Sequence, residues 1–391
     1  MAGGIPLRLL PPPVFVDDAD GLDPNLILAD MVSAFQTAAG RTLQPAQVER
    51  LLINLYAYRE SLVRNAIQYA GQQNLLAYAA FPMLDYLGQL LSIIRLGAQG
   101  ATTTLQFTLA NPLSIAYVIA AGTQIGTSDG QFVFATIESL TIPAGSTSGS
   151  VQATSTTPGA GSNGYLAGQV NVQISPSVLI SAVTNTNTSA GGASPETDEH
   201  LRARIQAAPN QFSTAGPEGA YRFFTLSADP SIIDAQVVTP APGQVVVYVL
   251  TGLITIQPAP SPNPAAIASS GLLAKVAAAL SGDSVRPLTD TVSVMAVTES
   301  DYQISGTITI YSDADPAATM AAANAAAQSY AIALASRIQR DIVPSQIIEA
   351  LSVTGVYEVT LTSPSYTQLQ PGQWANCIAV TLSQATSSQS S

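Results

Sequence analysis

The sequence is short of the residues that carry most enzyme chemistry: its 391 positions include one cysteine, Cys377, one histidine, His200, and one tryptophan, Trp374. A lone cysteine excludes an intrachain disulfide and a cysteine-rich metal site. A lone histidine leaves a nucleophile–base pair a single candidate base. Charge is scarce as well, at 10% of residues, with 13 basic against 25 acidic side chains and a formal net charge of −12. No run of Lys or Arg offers the phosphate contacts a nucleic acid requires, so no nucleic-acid partner is expected. Long apolar runs are missing too. VVVYVLTGLITI, Val245 to Ile256, is too short to cross a bilayer, and the alanine-rich run from Ala317 to Ala335 carries Asn324, Gln328 and Ser329, so no membrane partner is expected. The first residues lack a basic segment, an apolar core and a small-residue cleavage site, which predicts a chain that stays in the cytoplasm where it is made.

What remains is a long, apolar, sparsely charged chain. Single cores stop growing near ~250 residues, so 391 residues predict several domains. Hydrophobic residues make up 47% of the sequence, far more than so few charges can cover, which predicts that much of the surface meets other subunits. The acidity reads as a solubility device.

The composition changes along the chain and divides it. Residues 1–24, with Pro11-Pro12-Pro13 and Asp17, Asp18 and Asp20, read as an extended arm that lies on a neighbour or stays mobile. Residues 25–97 read as a helical, partner-binding segment: a helix from Leu26 to about Ala39, a second from Pro45 onward, and a third stretch from Gln73 to Ile94 that Pro82 kinks or splits. In the second helix Val48, Leu52, Leu55, Arg59, Leu62, Ala66 and Tyr69 recur at spacings of four and three, a coiled-coil-like seam with one arginine in it. That seam is the candidate partner interface. An ordinary amphipathic helix packed on its own domain is the competing reading.

Residues 98–188 alternate Thr, Val, Ile, Gly and Ser and predict a β-rich domain, with Thr184 to Ala193 as a polar linker. Residues 189–300 and 301–391 alternate helix and strand patterns and predict two small α+β domains, the last an oligomerisation domain with a disordered Ser/Gln tail after Leu382. Helices are expected from Ser194 to Ala208, from Pro217 to Ser227, from Ala265 to Leu280, from Pro316 to Ile338 and from Ser345 to Leu351. Pro258 to Pro264 reads as a loop. The fold class is therefore multidomain α+β: an N-terminal helical bundle segment, a central β-rich domain and two small C-terminal α+β domains.

Several apparent catalytic motifs dissolve on inspection. Gly126-Thr127-Ser128-Asp129-Gly130 has the G-x-S-x-G form, but a hydrolase elbow needs a helix to follow, and here the pattern continues as strand. Gly159 to Gly164 fits G-x-G-x-x-G with no helix after it, so a glycine-rich turn is expected. Asn187-Thr188-Ser189 is a glycosylation sequon only in form. Glu196, Asp198 and Glu199 beside His200 suit a helix start better than a metal site, since neighbours on a helix point apart. Asp198 is also spaced to pair with Arg202. Trp374 and Cys377 read as core. No catalytic residue, metal site or cofactor is expected.

Five blocks carry a family resemblance. AGTQIGTSDGQFVFAT (Ala121 to Thr136), GGASPETDEHLRARI (Gly191 to Ile205), STAGPEGAY (Ser213 to Tyr221), DAQVVTPAPGQVVVYVL (Asp234 to Leu250) and VRPLTDTVSVMAVT (Val285 to Thr298) follow one another in the order of the baseplate J-like proteins. LDYLGQLLSIIRL, Leu84 to Leu96, is similar to that family's junction between helical part and β domain, and the resemblance covers most of residues 80 to 382. It implies a structural wedge or ring subunit of a contractile phage tail baseplate that is not an enzyme. Its partners would be other wedge subunits, copies of itself in a sixfold ring, the tail hub and the sheath-initiating proteins, and its place the virion after assembly in the host cytoplasm. A subunit of a cell-encoded contractile injection system or bacteriocin fits the same resemblance. From another class, the Thr/Ser-rich β region leaves a glycan-binding or glycan-cleaving tail protein as the alternative, although aromatics for stacking on sugars are only 6%.

Overall fold

A computed structural model describes residues 12–16, 22–174, 176–212, 217–252, 263, 266–282, 285–287, 289–387 and 389–391. The chain forms two compact units, Met1–Arg95 with Thr197–Gln206, and Leu96–Glu196 with Ala207–Ser391.

In the first unit α1 (Pro24–Ala39) starts where the Asp23 carboxylate accepts the Asn25 N–H at 2.8 Å, and it ends at Gly40, whose φ of 64° suits glycine. It packs on α2 (Val48–Gln72). Pro82 does split the third helical stretch: turns precede it, and only α3 (Met83–Gln89) follows. The same unit takes in α4 (Asp198–Ala207), whose Leu201 and Ile205 are buried. α4 comes so close to α3 that a Cβ on Gly88 would stand 3.2 Å from the Ile205 side chain.

The expected Asp198–Arg202 pair does not form. Asp198 binds Arg95 at 2.7 Å, and Arg95 also grips Asp85 with two bonds of 2.9 and 3.0 Å. Arg202 pairs with Glu199 at 2.9 Å and donates to the Leu76 and Ala79 carbonyls at 2.7 Å each. The turns after α2 leave carbonyls without helical donors, and a guanidinium fork satisfies two at once. α4 also starts three residues later than Pro195, because Glu196 bonds instead to the Leu96 backbone.

The second unit begins with β1 (Thr102–Leu109), β2 (Tyr117–Ile119), β3 (Gln124–Thr127), β4 (Val133–Thr136), β5 (Leu140–Ile142), β6 (Ser148–Ser155), β7 (Val170–Gln173) and β8 (Ile180–Asn185). Six of them make a near-barrel in the order β7-β3-β4-β6-β1-β8, and β2 and β5 form a small separate pair. Alternation sets the inside: Thr103, Leu105, Phe107 and Leu109 of β1 are buried, three of them packed with Ile125, Phe134 and Val183. The edge strands β7 and β8 share no ladder, and the buried Asn185 bridges them. Its Oδ1 accepts the Val170 N–H at 2.9 Å while its amide donates to the Leu166 and Asn187 carbonyls at 3.0 and 2.8 Å.

The segment expected to be a linker, 184–193, is fastened to this domain instead. Ser189 donates to the Ser162 carbonyl at 2.7 Å, the Gly192 N–H to Asn163 Oδ1 at 2.8 Å, and Ala190 and Ala193 pair with Thr102 and Gln99. Polar residues that read as solvated are the ones that satisfy buried backbone groups. Gly126 and Thr127 end β3, and Ser128 to Gly130 lie in the hairpin turn to β4, with Gly130 at φ 71° and the Asp129 carboxylate bonded to Thr127 and Gln131. Gly159 to Gly164 forms a loop with one short 3-10 turn, and no helix N-terminus follows.

The rest of the unit has two small sheets. α5 (Glu218–Ala228), β9 (Ile232–Ala241), β10 (Gln244–Thr251), α6 (Ser270–Leu280) and β11 (Thr291–Ala296) place β10 between antiparallel β9 and parallel β11. Tyr221, Leu226, Val247 and Val276 fill the core between them. The expected helix start at Ala265 moves to Ser270, where Ser269 caps the Leu272 N–H, and the Pro-rich loop from Pro258 to Pro264 lies outside the described residues except for Asn263.

Then β12 (Thr298–Ile310), α7 (Pro316–Ala335), α8 (Pro344–Leu351), β13 (Val356–Ser363) and β14 (Gln373–Thr386) set β12 between antiparallel β13 and parallel β14. Ala323, Ala327 and Ala331 let α7 approach this sheet closely over Ile304 and Ile308. Trp374 and Cys377 are core residues, as expected, and the Trp374 indole donates to the Ala335 carbonyl at 2.7 Å. The tail is not disordered from Leu382. β14 runs on to Thr386 beside Ile310, and the Gln389 carbonyl accepts the Ser312 N–H at 2.9 Å. Parallel pairing uses the backbone, so a Ser/Gln composition does not prevent it. The fold class is multidomain α+β, as the sequence predicts.

Candidate assembly interface

The candidate seam lies on α2, and the helix is built inside out for a lone domain. Its buried positions are small or polar: Ala57, Ser61 and Gln68. Its large apolar side chains, among them Val48, Leu52, Leu55, Leu62 and Tyr69, are exposed, Leu55 at 57% against 2% for Ala57. Arg59 and Ala66 are exposed on the same side. Val63 and Ile67 widen the stripe, so nearly half the helix circumference is apolar and uncovered within the chain.

The opposite side is occupied by α1 and by the arm. Gln68 reads the backbone of the arm with both ends of its amide, donating to the Pro13 carbonyl at 2.6 Å and accepting the Phe15 N–H at 2.7 Å. The Phe15 ring lies on Gly71, where a Cβ would be 2.5 Å away. Residues 12–16 of the arm therefore lie on the chain's own second helix. The backbone there needed an amide donor and acceptor at one point, and Gln68 offers both. Asp17, Asp18 and Asp20 lie outside the described residues.

Ion pairs hold the flanks of the helix. Arg41 meets Glu49 at 2.6 Å and Glu60 meets Arg64 at 2.9 Å. The Glu49 carboxyl is held below its ordinary value by a backbone hydrogen bond and by Arg41.

A surface concavity is lined by Gln339, Arg340, Asp341, Val343, Gln346, Gln368 and Leu369. Its carboxylate, Asp341, accepts from the Tyr366 hydroxyl at 3.1 Å and the Leu369 N–H at 2.9 Å, and a glycan-cleaving site would need a second one. The acidic residues around His200 are drawn apart: Glu196 to Leu96, Asp198 to Arg95 and Glu199 to Arg202. Among the described residues no group of three or more His, Cys, Asp or Glu could hold a metal ion, and no helix is long and apolar enough to cross a membrane.

Sequence reasoning missed the ties made at a distance, such as Arg95 to Asp198 and the Asp234 carboxylate, which takes Arg222 and the Ile338 N–H. Partners spaced 103 or 104 positions apart, Arg95 with Asp198 and Asp234 with the Ile338 N–H, leave no periodic signal.

A near-barrel followed in the chain by two small sheet-and-helix modules, with helices earlier in the sequence, defines a modular α+β chain. Three family models match it in sequence order: the Baseplate J-like protein barrel domain over residues 104–192, the Baseplate J-like central domain over 213–296 and the Baseplate J-like protein C-terminal domain over 302–383. The chain belongs to the baseplate J-like family. Baseplate protein J of Escherichia phage P2 is 37% identical over 169 residues, which are 43% of this chain and 52% of that protein, so the match spans about half the length of the relative. Among solved structures, a cryo-EM baseplate of the anti-feeding prophage (AFP), 6-fold symmetrised, aligns over 90% of this chain and 89% of that chain, with a TM-score of 0.41 and 15% identity. None of the three matched family stretches includes α2.

Proposed function

We propose that the chain is a structural, non-enzymatic subunit of a contractile phage tail baseplate, a wedge or ring component that assembles around the tail hub. The observation that carries this reading is the run of three baseplate J-like domains in one chain. The exposed apolar side of α2 supports it, because contiguous exposed apolar stripes mark surfaces that meet another subunit.

In this reading residues 25–97 bundle with other wedge subunits through Val48, Leu52, Leu55, Arg59, Leu62, Ala66 and Tyr69. Residues 98–188 space the arms, 189–300 form the next module, and 301–391 join copies into a sixfold ring beside the sheath-initiating proteins. The ring transmits a change of shape when the tail contracts, which requires two packings only a few kcal/mol apart. The chain is made in the host cytoplasm and resides in the virion at the tail base.

The test is mass spectrometry and cryo-imaging of tailed particles from the producing strain. Several copies in a ring at the tail base are expected. Absence from the particle, or a place at a fibre tip, would overturn the reading and direct attention to the barrel as a glycan binder.

A further inference from the structure

We propose that Lys275 is a releasable latch that holds the barrel to a single rigid body made of the two sheet-and-helix modules. Its use in a change of shape rests on the baseplate reading; the latch itself rests on geometry alone.

The two modules are welded to each other. Leu250, Ala266, Val297, Ala335, Ile338 and Trp374, drawn from both, fill one apolar core. Polar ties surround it: Asp234 Oδ2 accepts the Ile338 N–H at 2.8 Å, and Gln236 Oε1 accepts the Gly372 N–H at 2.7 Å. Between β11 and β12 stands one residue, the buried Val297. Turning one sheet against the other would open that core to water and strand buried polar groups, so the pair moves as one piece.

The barrel is joined to that body in another way. Its apolar core is drawn from its own strands and loops. It meets the first module through a side-chain bond at the surface, in which the Lys275 ammonium on α6 donates to Gln99 Oε1 at 3.0 Å. Gln99 lies at the entry of the barrel and its backbone pairs with Ala193 at the exit, so a grip on this side chain holds both passages of the chain.

Lys275 is aimed by a buried carboxylate. Its ammonium also donates to Asp229 Oδ2 at 2.7 Å, while Asp229 Oδ1 accepts the Ser231 N–H and hydroxyl at 2.9 and 2.6 Å. The side-chain type suits a tie that opens. Lys275 is the only lysine among 13 basic residues. A guanidinium fork fixes two acceptors at once, as Arg202 does, whereas an ammonium is a point charge on a flexible stem and exchanges one acceptor for water readily. Of its two bonds, the one to the neutral, exposed Gln99 is the weaker. Breaking it frees the barrel and leaves the Asp229 charge paired.

The test uses the full chain with pairs of spin labels and electron paramagnetic resonance distances. Labels at Ser150→Cys and Glu358→Cys report the barrel against the body, and labels at Thr239→Cys and Glu358→Cys report within the body; Cys377 is buried and takes no label. Circular dichroism verifies each fold. Gln99→Ala, which leaves the Asp229 pair intact, should raise the population of displaced barrel distances about fivefold. Lys275→Met should raise it at least as much. Gln99→Glu should lower it and make it sensitive to salt, since an ion pair replaces a neutral acceptor. The body pair should keep one narrow distance throughout. Unchanged barrel distances in both Gln99→Ala and Lys275→Met would overturn the latch, and a broad distance for the body pair would overturn the rigid body. Both results come from the isolated chain, so neither bears on the baseplate reading, which the particle experiment decides.

Discussion

Glu196 and Leu96 hold each other twice: the Leu96 N–H donates to Glu196 Oε2 at 2.8 Å, and the Glu196 N–H donates to the Leu96 carbonyl at 3.0 Å. Gln99 and Ala193 exchange two more backbone bonds, of 2.8 and 2.9 Å, so the entry to the barrel domain and its exit are zipped together. Glu196 is almost fully buried. Replacing it by Ala would strand the Leu96 N–H and lower the stability of this unit by ~1–3 kcal/mol, whereas Glu196→Gln keeps an acceptor and costs less. Urea unfolding of the two variants compares them, and equal losses would assign the effect to the negative charge.

Leu55 and Leu62 project from α2 into solvent within the chain. Replacing both by Glu should change the folding stability of the isolated protein by about 0.5 kcal/mol or less, because surface substitutions touch no packed core. Particle assembly should fail. Thermal unfolding and electron microscopy of lysates check the two halves separately, and intact baseplates in the double variant would refute the bundle.

The Asn185 amide closes the gap between β7 and β8. Asn185→Ala leaves the Val170 N–H and two carbonyls without their partner and should cost ~2–3 kcal/mol. Hydrogen exchange at Val170 should accelerate while exchange in β6 stays slow. Unchanged protection at Val170 would show that the near-barrel closes without this side chain.

Burial raises the pKa of Tyr302 and Tyr330 above the ordinary 10.0, burial and then the bond to Asp290 raise that of Tyr221, and burial lifts the Cys377 thiol above 9.0. The folded state therefore holds protons that the unfolded state releases. Stability from these groups is complete below the unfolded-state values and falls as pH rises above them toward the folded-state values. Guanidinium unfolding should give a flat stability near neutrality and a decline that begins between pH 9 and 10. Absorbance titration should find tyrosines that ionise only as the chain unfolds. Ionisation of all 14 tyrosines before unfolding would contradict it.

The regular elements were legible because each carries its own signal: alternation in β1, Pro316 in the first turn of α7, and the spacing of Leu52, Leu55 and Leu62 in α2. The seam residues were legible as apolar, but which side of α2 turns inward was not, since that depends on what α1 and the arm cover. Gln68 reads as an ordinary polar helix residue until the backbone of Pro13 and Phe15 is laid on it. The strand past Leu382 misled because composition reports on side chains while parallel pairing uses the backbone, and the segment from Thr184 to Ala193 misled because its polar side chains, Asn185 and Ser189 among them, bond to buried backbone groups instead of water. The expected Asp198–Arg202 pair misled because Asp198 is taken by the distant Arg95, while Arg202 pairs with Glu199 and bonds the Leu76 and Ala79 carbonyls.

The helical unit consists of Met1–Arg95 and Thr197–Gln206, so 101 residues, 96–196, are made between its two pieces. At a synthesis rate of roughly 5–20 residues per second, α4 follows Arg95 by about 5 to 20 seconds. During that interval the carbonyls of Leu76 and Ala79 await Arg202, and Arg95 awaits Asp198. A nascent chain thus completes its barrel sequence before its helical unit can close. Any partner that recognised the closed unit would therefore join only chains whose translation had already passed the barrel.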